Sequence, residues 1–163
     1  MHCRAHTMTS RFVRPCLAAA LLGCSGTTSP NPAGNRQFKL VTADEHALPS
    51  IVFDGTIAAD TAAPFHLRVT ATSGTMSIDS LGHYEQRVMH DVELNGAPSG
   101  SLRRADRGEC TTVGDALQCV SNYIEGIEFA GTLAHDTVTI VQDLVGEGRP
   151  VTYRYARAGS TAP

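Results

Sequence analysis

The sequence predicts an all-β protein, an antiparallel sheet curled around an apolar interior. From Phe38 onward, apolar residues recur at every second position in short runs, which is the period of strands with one buried and one solvent-facing side. The runs are rich in Thr and Val and are separated by Gly, Asp and Asn, as strands and turns prefer. No apolar stripe of helical length lies between them, so a parallel sheet with crossover helices is not supported.

The N-terminal segment is typical of an export signal. Three arginines and no acidic residue precede a short apolar run that ends at Cys24, and translation can begin at Met1 or Met8. The run is shorter than the roughly 20 apolar residues that a membrane-spanning helix needs, and it matches the core of a signal peptide. We therefore expect residues 1–23 to be a signal peptide.

The end of this run also resembles the lipobox of bacterial lipoproteins, carried by Leu21-Leu22-Gly23-Cys24. The resemblance implies that the chain is cut before Cys24, that Cys24 is the lipid attachment site, and that its lipid anchors the protein in the membrane of the cell envelope. Ser25 stands where lipoproteins retained at the inner membrane carry an aspartate, so the resemblance implies the outer membrane. The alternative is a plain secretory signal with an incidental cysteine.

The domain organisation follows from composition. Residues 24–37 lack an apolar period and are rich in Ser, Thr, Pro, Gly and Asn, which predicts a flexible tether. The β domain is predicted over residues 38–158, with a disordered tail at 159–163. Removing the signal peptide takes away three of the 13 Lys and Arg residues and none of the 16 Asp and Glu residues, so the formal net charge falls from −3 to −6. Such a charge disfavours nucleic acid or an anionic membrane surface as the main partner, because both require clustered positive charge.

The segment ECTTVGDALQC predicts a hairpin and a disulfide. Gly114-Asp115 forms its two-residue loop, with glycine at the first position of a type II′ turn. Counting outward, Cys110 lies opposite Cys119 on a non-hydrogen-bonded rung, where Cα atoms are about 4.5 Å apart and a disulfide fits. Export supplies an oxidising compartment, so we expect this bond to form. The alternative is two reduced thiols packed as small apolar side chains.

Two further segments are predicted to form strands. A turn at His135-Asp136 places Leu133 opposite Val138 in a second hairpin, and the apolar face of this hairpin also carries Ile127, Phe129 and Ile140. Residues 81–94 are predicted to form one long strand, although their apolar residues also fit the spacing of a helix.

The order of motifs along the chain is similar to that of small bacterial lipocalin-like lipoproteins. An opening strand with Leu-Pro is followed by a Gly-Thr strand, a Gly-x-x-Thr hairpin, a second Gly-Thr hairpin and a closing Tyr/Arg strand, over residues 37–157. The resemblance implies an up-and-down antiparallel β-barrel of about eight strands. The Gly-x-Trp motif of lipocalins is absent, because the chain has no Trp. The two hairpin cysteines occupy places where such sequences put inward aromatics, which implies that the disulfide points inward.

The parity of the strands predicts which residues form the interior. Three of these, Leu117, Leu133 and Val138, are predicted core residues. The remaining eight are core residues and candidates to line a ligand cavity: Phe38, Leu40, Met76, Ile78, Tyr84, Phe129, Ile140 and Tyr153. Plain core packing is the alternative for the tyrosines, whose polar tips would also suit the rim of a cavity.

No pattern in the chain predicts catalysis, a metal site or a cofactor. The histidines after the signal peptide lie in separate segments without metal-ligand spacing, and we expect most of them on the surface or on a strand face. Nucleophile elbows and phosphate-binding glycine loops are absent from the sequence. The basic cluster Arg103-Arg104 with Arg107 is mixed with Asp106 and Glu109, which predicts a solvated turn or strand face.

These observations leave a non-catalytic envelope lipoprotein that binds a small apolar ligand inside its barrel. The alternative is a protein-interaction or inhibitor module at the cell envelope. A cavity distinguishes the two, because a ligand carrier needs roughly 300 Å³ or more.

Overall fold

A computed structural model describes residues 36–58, 63–123, 127–143 and 148–157. The predicted signal peptide, the lipid attachment site Cys24, most of the tether and the tail lie outside the described residues.

The described residues form ten β-strands and contain no helix. The strands are β1 (Arg36–Ala43), β2 (His46–Ala47), β3 (Ser50–Ile57), β4 (Phe65–Ile78), β5 (His83–Leu94), β6 (Ala97–Val113), β7 (Ala116–Ser121), β8 (Glu128–Ala134), β9 (Thr137–Gln142) and β10 (Val151–Arg157).

Eight of these strands close into an antiparallel barrel. Each strand from β4 to β10 pairs with the next along the chain, β10 pairs with β1, and β1 closes the ring by pairing with the last residues of β4. The first half of β4 pairs instead with β3, and the short β2 extends β1. The structure confirms the predicted all-β, up-and-down barrel of eight strands.

The two ends of the barrel differ. The turns at residues 79–82, 114–115 and 135–136 lie at one end, which also holds Arg36, the first described residue. We call this the turn end. The strand ends that lead from β5 to β6, from β7 to β8 and from β9 to β10 lie at the opposite end, which we call the open end.

Side chains fill the barrel beneath the open end, as strand parity predicts. Ten of the eleven predicted core residues are buried, and Leu133 is partly buried. The largest fully buried side chains include Tyr153 and Tyr155. Burial of so many apolar side chains, worth roughly 1.5–3 kcal/mol each, is the main stabilising contribution to the closed barrel.

Both predicted hairpins form with the expected register. Cys110 pairs with Cys119 and the two are joined by a disulfide, with a Cα–Cα distance of 4.0 Å. Both cysteines are buried, so the bond points into the barrel. Gly114 has a φ of 61°, as the first position of a type II′ turn requires. In the second hairpin, Leu133 pairs with Val138 as expected.

The long strand predicted over residues 81–94 is confirmed as β5, except for its first two residues. Gly82 has a φ of 91° and belongs to the preceding turn, so the strand begins at His83. Tyr84 and Val88 point into the core, as the two-residue period requires.

Candidate functional site

The open end of the barrel is uneven because β6 is much longer than β7. β7 pairs with β6 only from Gly108 to Val113, whereas β5 pairs with β6 from Ala97 to Glu109. The β5–β6 hairpin therefore projects beyond the level where β7 ends at Ser121. This difference in length leaves a gap in the wall between β6 and the ends of β8 and β9.

A cavity of about 510 Å³ lies at this gap. We call it the open-end cavity. Its lining surface is mostly apolar, although more than half of the twelve lining residues carry polar or charged groups. The lining residues are Arg104, Ala105, Asp106, Ser121, Tyr123, Ile127, Glu128, Phe129, Val141, Gln142, Asp143 and Pro150.

The floor of the open-end cavity is organised by a buried carboxylate, that of Asp106. Its Oδ1 accepts hydrogen bonds from Ser121 Oγ at 2.6 Å and from the Arg107 backbone N–H at 2.8 Å. Its Oδ2 accepts from Tyr84 Oη at 2.8 Å and from Gln142 Nε2 at 3.1 Å. Four donors match the four acceptor positions of a carboxylate, so burial of this group is compensated.

This arrangement overturns the prediction that Asp106 belongs to a solvated strand face. Asp106 is 7% exposed, while its neighbours Arg103, Arg104 and Arg107 are exposed as predicted. The carboxylate has no acceptor position left for a substrate proton, because all four are used by the protein. We therefore infer that Asp106 has a structural role and holds the side chains around it in place.

Tyr84 links this carboxylate to the apolar core. Its ring meets that of Phe129 edge-on, with centroids 5.4 Å apart and an interplanar angle of 87°. Burial raises the pKa of the Tyr84 hydroxyl well above its ordinary value, and its hydrogen bond to the Asp106 carboxylate raises the pKa further. The hydroxyl thus stays protonated and remains a donor to Asp106.

Gln142 has a buried acceptor without a partner. Its Nε2 must face Asp106, because a carboxylate only accepts hydrogen bonds, so its Oε1 points the other way. Oε1 is buried and has no partner among the described residues. A buried acceptor without a partner costs about 1–3 kcal/mol.

Deeper in the barrel lie two more polar side chains. Gln86 donates through Nε2 to Tyr155 Oη at 2.7 Å, and both residues are fully buried. Gln86 pairs with Asp106 in the β5–β6 register, so the polar residues of the interior form one band from β10 to β6. The Tyr155 hydroxyl has a pKa raised by burial.

Among the five described histidines, His90 alone is buried. Its side chain is fully buried on the inner side of β5, and neither ring nitrogen has a hydrogen-bond partner among the described residues. Burial lowers the pKa of His90 to about 4, and the positive charge of Arg104 acts in the same direction. The imidazole is therefore neutral at physiological pH.

The other four histidines lie on the surface as expected. His46 and His135 are exposed, His66 contacts Asp54 at 2.9 Å, and His83 contacts Asp79 at the same distance.

The open-end cavity differs from the cavity that strand parity predicts. Of the eight predicted lining residues, only Phe129 borders it. Phe38 and Met76 border a separate cavity of about 190 Å³ where β1 meets β4, and the other five pack in the core. Ile127, which parity places inside, is 40% exposed at the mouth of the open-end cavity.

Within the described ranges, no three His, Cys, Asp or Glu side chains are grouped in a way that suits a metal ion. The described segments also contain no helix with the length and hydrophobicity needed to cross a bilayer.

The fold and the site define a closed eight-stranded antiparallel barrel with a mostly apolar cavity at its open end and a disulfide beneath it. Comparison with family models, with curated proteins and with solved structures finds no match to this chain.

Proposed function

We propose that the chain is a non-catalytic, lipid-anchored envelope protein of the lipocalin-like kind that binds a small apolar ligand in its open-end cavity. The observation that carries the proposal is the cavity of about 510 Å³, which lies within the range of roughly 300–1,000 Å³ typical of small-molecule sites. The core below it is filled by large side chains, so the ligand would lie at the mouth.

The chemistry of the lining favours an apolar body with one polar group. Ile127, Phe129 and Val141 offer apolar contact area, while the exposed Tyr123 and Glu128, which also line the cavity, offer polar groups. A site that combines apolar walls with a few placed polar groups is typical of ligand pockets.

The position of the first described residue agrees with this proposal. Arg36, the first described residue, lies at the turn end, opposite the cavity. A lipid on Cys24 would therefore tether the barrel by its turn end, and the open end would face away from the membrane.

Binding of a neutral apolar fluorophore, N-phenyl-1-naphthylamine, tests the ligand site. Ile127→Trp narrows the mouth of the cavity and should weaken binding by about tenfold, since the lost contact area is worth about 1–2 kcal/mol. Val113→Trp introduces the same side chain at an exposed position of the turn end and is the matched control. Equal affinity of both variants and the parent would show that the fluorophore binds elsewhere.

A further inference from the structure

The projecting part of β6 has an unpaired edge. β5 pairs with residues 97–107 along one side, and no described strand pairs with them along the other. Every side chain in this stretch is exposed except that of Asp106. An exposed sheet edge of this length is a ready template for a further strand.

The orientation of the backbone groups on this edge follows from one hydrogen bond. The C=O of Arg107 accepts from the N–H of Asn122 at 2.8 Å, so Arg107 faces the β7 side. Alternate residues of an antiparallel strand face the same neighbour, so Ser101, Arg103 and Ala105 also direct their N–H and C=O groups to that side. Above the end of β7 these groups meet no strand of the described chain.

The charged side chains beside the edge determine which kind of strand can pair with it. Arg103 and Arg104 are exposed and make no ion pair among the described residues, and the Arg107 guanidinium lies 5.5 Å from the centroid of the Tyr123 ring. Two copies of this edge would bring arginines together, and like charges on paired strands are destabilising. An acidic strand would instead be attracted.

The open-end cavity lies directly beneath the edge, because residues 104–106 form one of its walls. A strand paired with β6 would point alternate side chains towards the cavity and the outer face. The outer set would lie beside Arg103 and Arg107, and the inner set would lie over Ile127 and Phe129. This pattern calls for acidic residues on one side of the strand and apolar residues on the other.

We propose that the free edge of β6 binds an extended acidic segment of a partner polypeptide by strand addition, with an apolar side chain of that segment seated in the open-end cavity. The inference goes beyond the small ligand proposed above, because it depends on the backbone of β6, and the two are tested separately.

The test uses the purified full-length protein and a fluorescently labelled peptide, acetyl-Glu-Val-Glu-Leu-Glu-Val-Glu-amide. Two further peptides carry N-methyl groups on every second amide. One is methylated at the odd-numbered residues of the peptide and the other at the even-numbered residues. Strand addition predicts that one phase weakens binding by about tenfold or more and that the other has little effect, since only one set of amides faces β6. Equal affinity of the two methylated peptides, or no binding below a Kd of about 1 mM, overturns the proposal.

Two protein variants locate the site. Ala105→Pro removes an N–H that faces the free edge and keeps the hydrogen bonds to β5, so peptide affinity should fall by about tenfold. Arg103→Ala should weaken binding at low salt, and Arg154→Ala, which removes an exposed arginine from β10, is the matched control. If Ala105→Pro does not fold, the methylated peptides still test the proposal, because their binding is measured with the parent protein. Unchanged affinity of a folded Ala105→Pro variant contradicts strand addition.

Discussion

A single carboxylate, that of Asp106, accounts for much of the order at the open end. It accepts four hydrogen bonds, from Tyr84, Ser121, Gln142 and the Arg107 backbone. An amide in its place would turn an N–H₂ group towards one pair of donors and leave those donors unpaired.

We therefore expect Asp106→Asn to lower the free energy of unfolding by about 3 kcal/mol, because buried donors lose a charged partner. Chemical denaturation measures the effect. Asp91→Asn is the matched control, since Asp91 is exposed and accepts only from Ser101 among the described residues, and it should change stability by less than about 0.5 kcal/mol. Similar losses for the two variants would contradict the role given to Asp106.

His90 predicts how stability depends on pH. The pKa of His90 is lowered to about 4 in the folded protein by burial, against an ordinary value of about 6.5. Between these two values the unfolded chain binds a proton that the folded chain does not, so stability falls as the pH drops from about 6.5 to about 4.

The loss from this residue is at most about 3 kcal/mol over that range. Denaturation curves of the parent and of His90→Gln should therefore converge as the pH is lowered, with His135→Gln as the control for loss of a surface histidine. A difference between parent and His90→Gln that stays constant from pH 7 to pH 4 would contradict a neutral, buried imidazole.

At the scale of single elements, the β6–β7 hairpin gives the clearest test. The disulfide closes a loop of about ten residues, for which chain entropy predicts a stabilisation of at most about 2.7 kcal/mol. Reduction should lower the melting temperature by several degrees and leave the barrel folded, because the strand pairing and the core remain. Thiol titration of the unfolded protein, with and without reductant, checks the bond. Two free thiols from Cys110 and Cys119 in protein recovered from the periplasm would contradict it.

The hairpins could be predicted from the sequence because local rules fix them. A two-residue loop at Gly114-Asp115 and alternation of apolar residues determine which residues face each other, and this also placed both cysteines. The closed barrel was implied by the resemblance to lipocalin-like lipoproteins. Most of its pairings join strands that are neighbours in the chain, and closure adds only the pairing of β1 with β10 and β4.

The polar floor could not be predicted in the same way. Asp106 and His90 have the parity of buried residues, because Asp106 lies four positions before Cys110 and His90 two positions after Val88. Because both side chains are polar, they nevertheless indicated a position facing solvent. Only the tertiary fold brings hydrogen-bond donors to Asp106. The cavity was missed for another reason: it depends on how far β6 extends beyond β7, and residues 97–105 are exposed on both faces and show no period.

For the molecule as a whole, the proposed function includes a lipid on Cys24 that attaches the barrel to the membrane by its turn end. Cys24→Ala should release the protein into the soluble fraction or leave its signal peptide uncut, as the lipobox resemblance implies. Cys16→Ala changes a cysteine within the predicted signal peptide and should leave the protein with the membranes. If Cys24→Ala fractionates with membranes as the parent does, the lipobox interpretation is wrong.

The central claim is that the barrel carries a small apolar ligand in its open-end cavity. Native mass spectrometry of the protein, purified from its own envelope in mild detergent, tests this claim most directly. The account predicts a bound small molecule that is lost on activation or extraction with organic solvent and is depleted in Ile127→Trp but retained in Val113→Trp. A bare protein mass in every sample, together with no binding of the apolar fluorophore, would contradict it.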